Sequence, residues 1–398
     1  MATANAMAEA VAEASGGALL TRVSDIMAEY GPVDLDRRHK DGWRKLLARP
    51  RLVRVGQVLT DAAPAVTRLL QDALLDGFAR DITTSLAAEP PALIVANHGW
   101  LATAFTLARL RHGLRTRVVI YETEPFDASA LWSTPAAEVV LAPSAAAKAA
   151  LVAVGVPAAR VLVAGYPVAQ RFLRPPARAE ARASLGIDDG FTCLITLGAE
   201  GVVGGDAVAA LRTLALSGVN LLCVTGRNAL LKVKLAAVLP QQGQGGRVKV
   251  FGFVPDMERL LSAADMVVGK AGPASTMEAL AVGRPVVATA YAGLNELAVT
   301  RFLTVHGVGE YLGGWSTLTT AVTAWRKDPA RLAAAGMAAE QLDFVAMKRG
   351  LGAYLAACAS ADSSPTAMAR WLEPGTFGGV TREYLEGSTV KRFGGGTT

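Results

Sequence analysis

The sequence predicts an α/β protein of two domains, each a parallel sheet covered by helices on both faces. Three observations carry this. A chain of 398 residues that is 52% apolar can build two separate cores. Short runs that are apolar throughout alternate with helical stretches, the pattern of strands buried on both sides. Glycine-bearing turns follow the ends of several of those runs, where a doubly wound sheet gathers its ligands.

The alternation is cleanest over 185–290. FTCLITL (191–197) leads through GAEGVVGG into a helix over 206–217, and NLLCVT (220–225) leads through GRN into a helix near 229–238. RVKVFGF (247–253) precedes a helix near 256–263 with Asp256 as its N-cap. MVVGK (266–270) passes through AGPAS into a helix over 274–282 that stops at Gly283, and PVVATA (285–290) closes the series. The first half repeats the theme with ALIVAN (92–97), RVVIYE (117–122), VVLAP (139–143) and RVLVAG (160–165) as strands, and with helices over 100–112 and 144–154.

The beginning departs from the rule. Residues 4–14 read as a helix and ALLTRVS (18–24) as the strand after it, whereas a doubly wound domain starts with a strand, a glycine turn and then a helix. The first strand of the N-terminal domain therefore reads as absent. Its place is mid-sheet, so its loss would leave two rows of backbone groups unpaired. A start further upstream, another segment in the gap, or a decayed protein would each account for this. The boundaries that follow are an N-terminal domain over 1–173, a Pro/Arg-rich linker RPPARAEAR (174–182), a C-terminal domain over 183–345, and a C-terminal helix over 346–359 within a helical stretch 330–358. A Gly/Ser/Thr-rich tail over 360–398 is expected to be disordered.

Composition narrows the function. The formal charge of +6 suits a soluble surface or attraction to anionic headgroups. Aromatics are only 6% and no basic–aromatic patch is interleaved, which argues against a nucleic-acid partner. Cys193, Cys223 and Cys358 are too scattered for a disulfide framework or a zinc site, so no metal is expected and a cytoplasmic compartment fits. No secretory leader and no apolar run of 18 residues stands out.

The strongest chemical signal is Lys270-Ala271-Gly272-Pro273-Ala274-Ser275-Thr276 followed by Glu278, at a strand-to-helix turn. Free amide hydrogens and the positive end of the helix dipole suit a diphosphate there. Gly272 lets the backbone approach, Ser275 and Thr276 offer hydroxyls, and Glu278, placed in the first turn, offers a carboxylate to ribose hydroxyls. An ordinary capped helix is the simpler alternative for this turn alone. Three further loops on the same sheet edge favour a nucleotide crevice: Gly198, Glu200 and Gly201 after one strand, Gly226 and Arg227 after the next, and Phe253 with Val254 after the third.

These motifs resemble a known family. VKVFGFVPDMERLLSAADMVVGKAGPASTMEALAVGRPVV is similar to the C-terminal domain of glycosyltransferase family 28, with supporting likeness in VTGRN (224–228), LAPSAAAKAALVAVGV (141–156), AGYPV (164–168) and AEYGP (28–32). Monogalactosyldiacylglycerol synthases and diacylglycerol glucosyltransferases are the members it most resembles; the peptidoglycan N-acetylglucosamine transferase is more distant. The resemblance implies a GT-B fold, two Rossmann-like domains facing across a cleft. It implies UDP-galactose or UDP-glucose as donor substrate, no cofactor, diacylglycerol or another lipid as acceptor, and peripheral attachment at the inner face of the cell membrane. By motif, Glu278 holds the ribose, Gly272, Pro273, Ala274 and Ser275 face the diphosphate, and Asn295 with Glu296 stand where the family has Gln-Glu, with Asn295 on the sugar hydroxyls.

The family's first glycine loop carries a histidine expected to act as general base, and this sequence begins past that position. His98 aligns with another family histidine, Glu124 stands at a family acidic position, and Trp132 matches while the next family histidine is Ser133. His98 and Glu124 are thus the candidates for base-assisted attack of a lipid hydroxyl on the anomeric carbon, though a cleft residue of either type is as readily structural. RRHKDGWRKLLARPRLVR (37–54) is basic with leucines between; it reads either as a solvated helix face or as a contact with an anionic membrane surface, with His39 and Trp43 as candidates. Three functions stay open: glycosyldiacylglycerol synthesis, transfer to a polyprenyl-linked or small-molecule acceptor, and non-catalytic nucleotide-sugar binding.

Overall fold

The computed structural model describes residues 2–31, 37, 40–42, 49–198, 201, 206–240, 246–361 and 363–386. They divide into two compact units. Unit 1 takes the described residues within Met1–Ala169, Ala292–Ala298 and Asp343–Thr398; unit 2 takes those within Gln170–Tyr291 and Val299–Leu342.

Unit 1 holds a four-stranded parallel sheet in the order β1 (Leu93–Ala96), β2 (Arg117–Tyr121), β3 (Val140–Ala142), β4 (Val161–Val163). Alternation sends Val118, Ile120, Val140 and Val161 to one face, where helices Pro64–Leu86, Gly99–Arg111 and Ala145–Ala153 bury them. Val119, Tyr121 and Leu141 point to the other face, covered by helix Phe344–Ser360 and helix Ala2–Ala14. Residues 18–24 form no strand, against the sequence expectation, and Leu20 is 99% exposed. A β-favouring run becomes a strand only when an edge is there to pair with it. The described sheet simply ends at β1, so no central gap with two unpaired rows exists in it.

Two other expectations fail for definite reasons. The stretch 174–182 is no linker: helix Arg178–Leu185 occupies most of it, and the buried Arg182 donates to Asp265 at 3.0 Å and to the Ala263 carbonyl at 3.0 Å. The tail is not disordered over 363–386. Phe377 is fully buried there, with ring centroids 5.1 Å from Phe126 and 6.2 Å from Phe344. The helical stretch 330–358 breaks between Gln341, the C-cap of helix Pro329–Glu340, and Asp343, whose left-handed backbone (φ 53°) starts the next helix and whose carboxylate accepts the Ala346 amide.

Unit 2 carries a six-stranded sheet, all pairs parallel, in the order β10-β9-β8-β5-β6-β7. The strands are β5 (Thr192–Thr196), β6 (Asn220–Val224), β7 (Val248–Phe251), β8 (Met266–Lys270), β9 (Val286–Ala290) and β10 (Gly309–Tyr311). Asp265 ties the base of this sheet together, accepting from the Thr192 amide as well as from Arg178 and Arg182.

Helix Ala2–Ala14 docks on helix Phe344–Ser360 through Ala6, Met7 and Ala10, and the buried Lys348 reaches Glu13 at 2.8 Å and Glu9 at 3.2 Å. Gly352 lets the two backbones meet, since a Cβ there would overlap the Ala10 carbonyl. Gly352→Ala is expected to cost about 1–3 kcal/mol, read as a lowered urea midpoint and faster amide exchange in residues 6–14.

Candidate functional site

The strand order of unit 2 reverses between β5 and β8, because the chain runs outward to β6 and β7 and then returns to the other side of β5. Ligands of open parallel sheets lie beyond the carboxyl ends of the strands at such a reversal. All four loops named from the sequence leave that edge, and glycines let them crowd together. Gly269 in β8 faces the Thr196 carbonyl of β5 so closely that a Cβ would overlap it. Gly201 (φ 58°) lies in the same way against Thr225 and Asn228 of the neighbouring loop. Asn228 locks that contact by donating to the Gly201 carbonyl at 3.0 Å while capping the next helix at Leu231.

The β8 turn has the form of an anion seat. The ladder shifts at Gly269/Lys270, Gly272 precedes helix Pro273–Ala281 as its N-cap, and no side chain caps the helix. Pro273 at the first helical position has no amide to satisfy. An added Cβ on Gly272 would touch the Ser275 hydroxyl at 3.2 Å and Lys270 Cε at 3.7 Å, so the glycine keeps the space between them clear. Ser275 is exposed and its hydroxyl donates to the Gly272 carbonyl at 3.2 Å. Thr276 is only 1% exposed with its hydroxyl turned inward, which withdraws it as a ligand donor.

Glu278 stands one turn further along than the sequence placed it, since the first turn holds no acidic residue. The helical period still puts it on the face of Ala274 and Ser275. Burial pushes its carboxyl up to about 7, with Arg171 pulling it down and Glu258 raising it. Arg171, on the short helix Gln170–Leu173, donates to the Pro255 carbonyl at 3.1 Å and lies 3.5 Å from Glu258. Sequence reasoning missed Arg171 and Glu258; a lone arginine outside any glycine turn gave no signal. Arg227 lies over the ring of Phe253 at 5.8 Å, and Phe253 is 63% exposed, so a flat apolar face backed by a cation borders the crevice beside Val254. Gly198 and Gly226 both take left-handed backbones at the loops that flank it. Glu200, His39 and Trp43 lie outside the described residues.

The remaining candidates belong to unit 1. Asn295 and Glu296 fall in the segment 292–298, where Glu296 accepts the Ala292 amide at 2.6 Å and the Leu294 amide reaches Gln57 at 2.8 Å. His98 caps helix Gly99–Arg111, its Nδ1 accepting the Trp100 amide at 3.3 Å, with the ring exposed. Trp132 is 5% exposed in the core beneath that helix and offers no ring to a surface. Ser133 is buried, its hydroxyl donating to the Val154 carbonyl at 2.7 Å. Glu124 follows β2, and its amide donates to the carboxylate of the fully buried Glu122. Away from these residues, a cavity of about 310 Å³ is lined by Thr106, Arg109, Val118, Glu138 and Arg160 among others. Among the described residues no group of three or more His, Cys, Asp or Glu is placed to hold a metal, and no helix is long and apolar enough to cross a membrane.

Unit 1 also displays an apolar surface. On helix Pro64–Leu86, Val66, Leu69, Leu70 and Leu74 recur at helical spacing and are each more than half exposed, while Thr67, Gln71 and Leu75 face inward. Leu52, Val55 and Leu59 of helix Pro50–Ala62 are likewise exposed, with Arg51 and Arg54 on the same helix.

Two parallel-sheet units, one of them with an uncapped helix start and the Glu278 carboxylate beside its strand reversal, define an α/β class of protein. Within that class, residues 202–296 match the glycosyltransferase family 28 C-terminal domain, so the resemblance read from the motifs is borne out. Monogalactosyldiacylglycerol synthase 1 of Arabidopsis thaliana is 26% identical over 262 residues, covering 62% of this chain and 48% of that protein. The UDP-N-acetylglucosamine–N-acetylmuramyl-(pentapeptide) pyrophosphoryl-undecaprenol N-acetylglucosamine transferase of Mycobacterium ulcerans is 34% identical over 192 residues, covering 45% of this chain and 48% of that one. The chain thus spans about half the length of these curated relatives. The crystal structure of a glycosyltransferase from Rickettsia africae shares the fold, with a TM-score of 0.51 at 12% identity over 73% of this chain and 82% of that one. The two parallel-sheet α/β domains expected from the motifs are the ones observed.

Two measurements check this geometry. Gly269→Ala forces β5 and β8 apart and is expected to cost about 1–3 kcal/mol in urea unfolding. Glu278 keeps a proton in the native state that the unfolded chain loses above its ordinary value of 4.5. Stability therefore falls as pH rises from there to about 7. Glu278→Gln should flatten that slope and unfold later than the parent at pH 8, with the difference vanishing below pH 4.5.

Proposed function

We propose that the protein is a glycosyltransferase that moves a hexose from UDP-galactose or UDP-glucose to diacylglycerol or another lipid hydroxyl at an anionic membrane surface. The observation that carries this is the β8 turn: an uncapped helix start beside Gly272 and Lys270, with Glu278 on the same helical face. Amides of Ala274 and Ser275, with the helix dipole, take the diphosphate. Glu278 accepts the ribose hydroxyls, and Phe253 with Val254 borders the base. As the anomeric bond to the donor oxygen breaks, the same amides hold the charge that develops on the leaving diphosphate, and they need no reorganisation to do so. Asn295 is read as the residue for the sugar hydroxyls, and Glu124 or His98 as the base for the acceptor. No cofactor is invoked.

The lipid acceptor is supported by the galactolipid synthase relative and by the apolar stripe Val66, Leu69, Leu70 and Leu74 with arginines alongside, which suits the boundary of a bilayer. The undecaprenol-linked substrate in the name of the M. ulcerans relative favours a second reading, transfer to a polyprenyl-linked acceptor at the same surface.

Glu278→Ala is expected to abolish UDP binding in calorimetry. In the parent protein, UDP affinity should fall as pH drops below about 7, since the protonated carboxyl accepts poorly. Radiolabelled UDP-galactose and UDP-glucose offered with vesicles of diacylglycerol and anionic phospholipid test the activity; no labelled lipid from either donor refutes the first reading. Leu69→Glu with Leu70→Glu should lower the bound fraction in vesicle sedimentation at least tenfold while leaving UDP affinity unchanged.

A further inference from the structure

Just past β2, the loop Glu122-Thr123-Glu124-Pro125-Phe126-Asp127 places three carboxylates within six residues. Glu122 differs from the other two in being fully buried: one carboxylate oxygen accepts the Glu124 amide, and the other is buried with no hydrogen-bond partner among the described residues, while the half-buried Glu124 also has its Oε2 out of water. Its own amide donates to the Leu141 carbonyl at 2.9 Å, so the residue is fixed to the sheet edge at its main chain. The loop beyond it is held too: Ser144 donates to the Pro125 carbonyl at 2.7 Å, and Phe126 packs on Phe377.

The titratable groups bearing on Glu122 are Glu124 and Asp127 from its own loop, with Tyr121 at the end of β2, and Tyr166 beyond β4 bears in turn on Tyr121. None is a cation. A carboxylate taken wholly out of water without a cation is too costly to keep ionised, and it takes up a proton instead. We propose that Glu122 is a positioning residue for Glu124, holding its main chain in place as a neutral carboxylic acid. Burial, followed by the negative charge of Glu124, pushes the Glu122 carboxyl well above the usual range, in agreement with this.

The inference rests on the reading of Glu124 as acceptor base. In that step the acceptor O–H bond breaks and its proton passes to the Glu124 carboxylate. The acceptor oxygen bonds to the anomeric carbon, and the bond from that carbon to the donor phosphate oxygen breaks, releasing UDP. Glu122 takes no part in these bonds. Its neutral acid fixes the turn that carries the half-buried Glu124, and it adds no second negative charge beside that carboxylate. When Glu122 ionises at alkaline pH, Glu122, Glu124 and Asp127 repel one another and the turn loosens.

The test uses the full chain and Glu122→Gln, which keeps an acceptor for the Glu124 amide and cannot ionise. In a Glu278→Gln background, where the other carboxyl raised to about 7 is removed, the infrared spectrum at pH 7 should show a protonated-carboxyl band that is missing once Glu122→Gln is added. In the same Glu278→Gln background the protein should lose stability as pH rises above the ordinary carboxylate range, because the native state holds a proton on Glu122 that the unfolded chain has released; adding Glu122→Gln should remove that loss. With vesicle acceptors, the alkaline limb of the kcat profile should disappear in Glu122→Gln while kcat at pH 7 stays within about threefold, about 0.7 kcal/mol of barrier. Glu122→Ala should lower kcat at least tenfold with UDP affinity unchanged. The proposal is overturned if the infrared band survives the addition of Glu122→Gln to Glu278→Gln, or if the alkaline limb persists in Glu122→Gln. Absence of transfer by the parent itself would count against the proposed function alone, and the infrared and stability measurements would still decide the state of Glu122.

Discussion

The close pairing of β5 with β8 is the constraint on which the rest of unit 2 depends. The chain lays β5 down first, adds β6 and β7 to one side, and returns across to place β8 on the other. That return creates the reversal where two loops diverge and leave a crevice. Gly269 permits it by bringing no side chain against the Thr196 carbonyl, and Asp265 fastens the other end of the same pair by accepting from the Thr192 amide and two arginines. With both ends fixed, helix Pro273–Ala281 begins where its amides face the crevice, and Glu278 follows on the same face.

Buried charge is used differently in the two units. In unit 2, Arg182 and Asp265 are nearly dry, and each is fully engaged with the other and with backbone groups, the condition under which a buried pair is tolerated. In unit 1, Lys348 is buried but reaches two glutamates on helix Ala2–Ala14 that stay in contact with water. Glu122 has no such partner, and Glu278 has a mixed one in Arg171 and Glu258. Incompletely compensated acids thus gather just beyond the strand ends of both units, where Glu122, Glu124 and Glu258 each keep a carboxylate oxygen buried and the Glu278 carboxyl is pushed up by burial.

The surface of unit 1 follows the same division of labour. Helix Pro64–Leu86 puts Thr67 and Gln71 inward and Val66, Leu69, Leu70 and Leu74 outward, the reverse of what a helix facing only water would do. Its inner half becomes apolar only from Leu75 onward, where Phe78 and Ile82 enter the core. The helix therefore carries apolar side chains on both of its faces.

Much was legible in the sequence because it depended on local rules. Apolar runs bounded by glycine turns set every strand of both sheets except the short β10, and the strand–glycine–helix turn at 270–278 pointed to its anion seat from residue types alone. What escaped depended on partners far away in the chain. Residues 18–24 have strand propensity but pair with neither described sheet, and 174–182 looks like a linker until Asp265 claims Arg182. The tail reads as polar until Phe377 finds Phe126 and Phe344, and Arg171 gains meaning only beside Glu258 and Glu278. The sequence by itself determined nine of the ten described strands, because steric preference and apolar periodicity act within a few residues. Only the tertiary structure decided which carboxylates go dry and which strands border the crevice, because burial and pairing are properties of neighbours that the chain brings together from a distance.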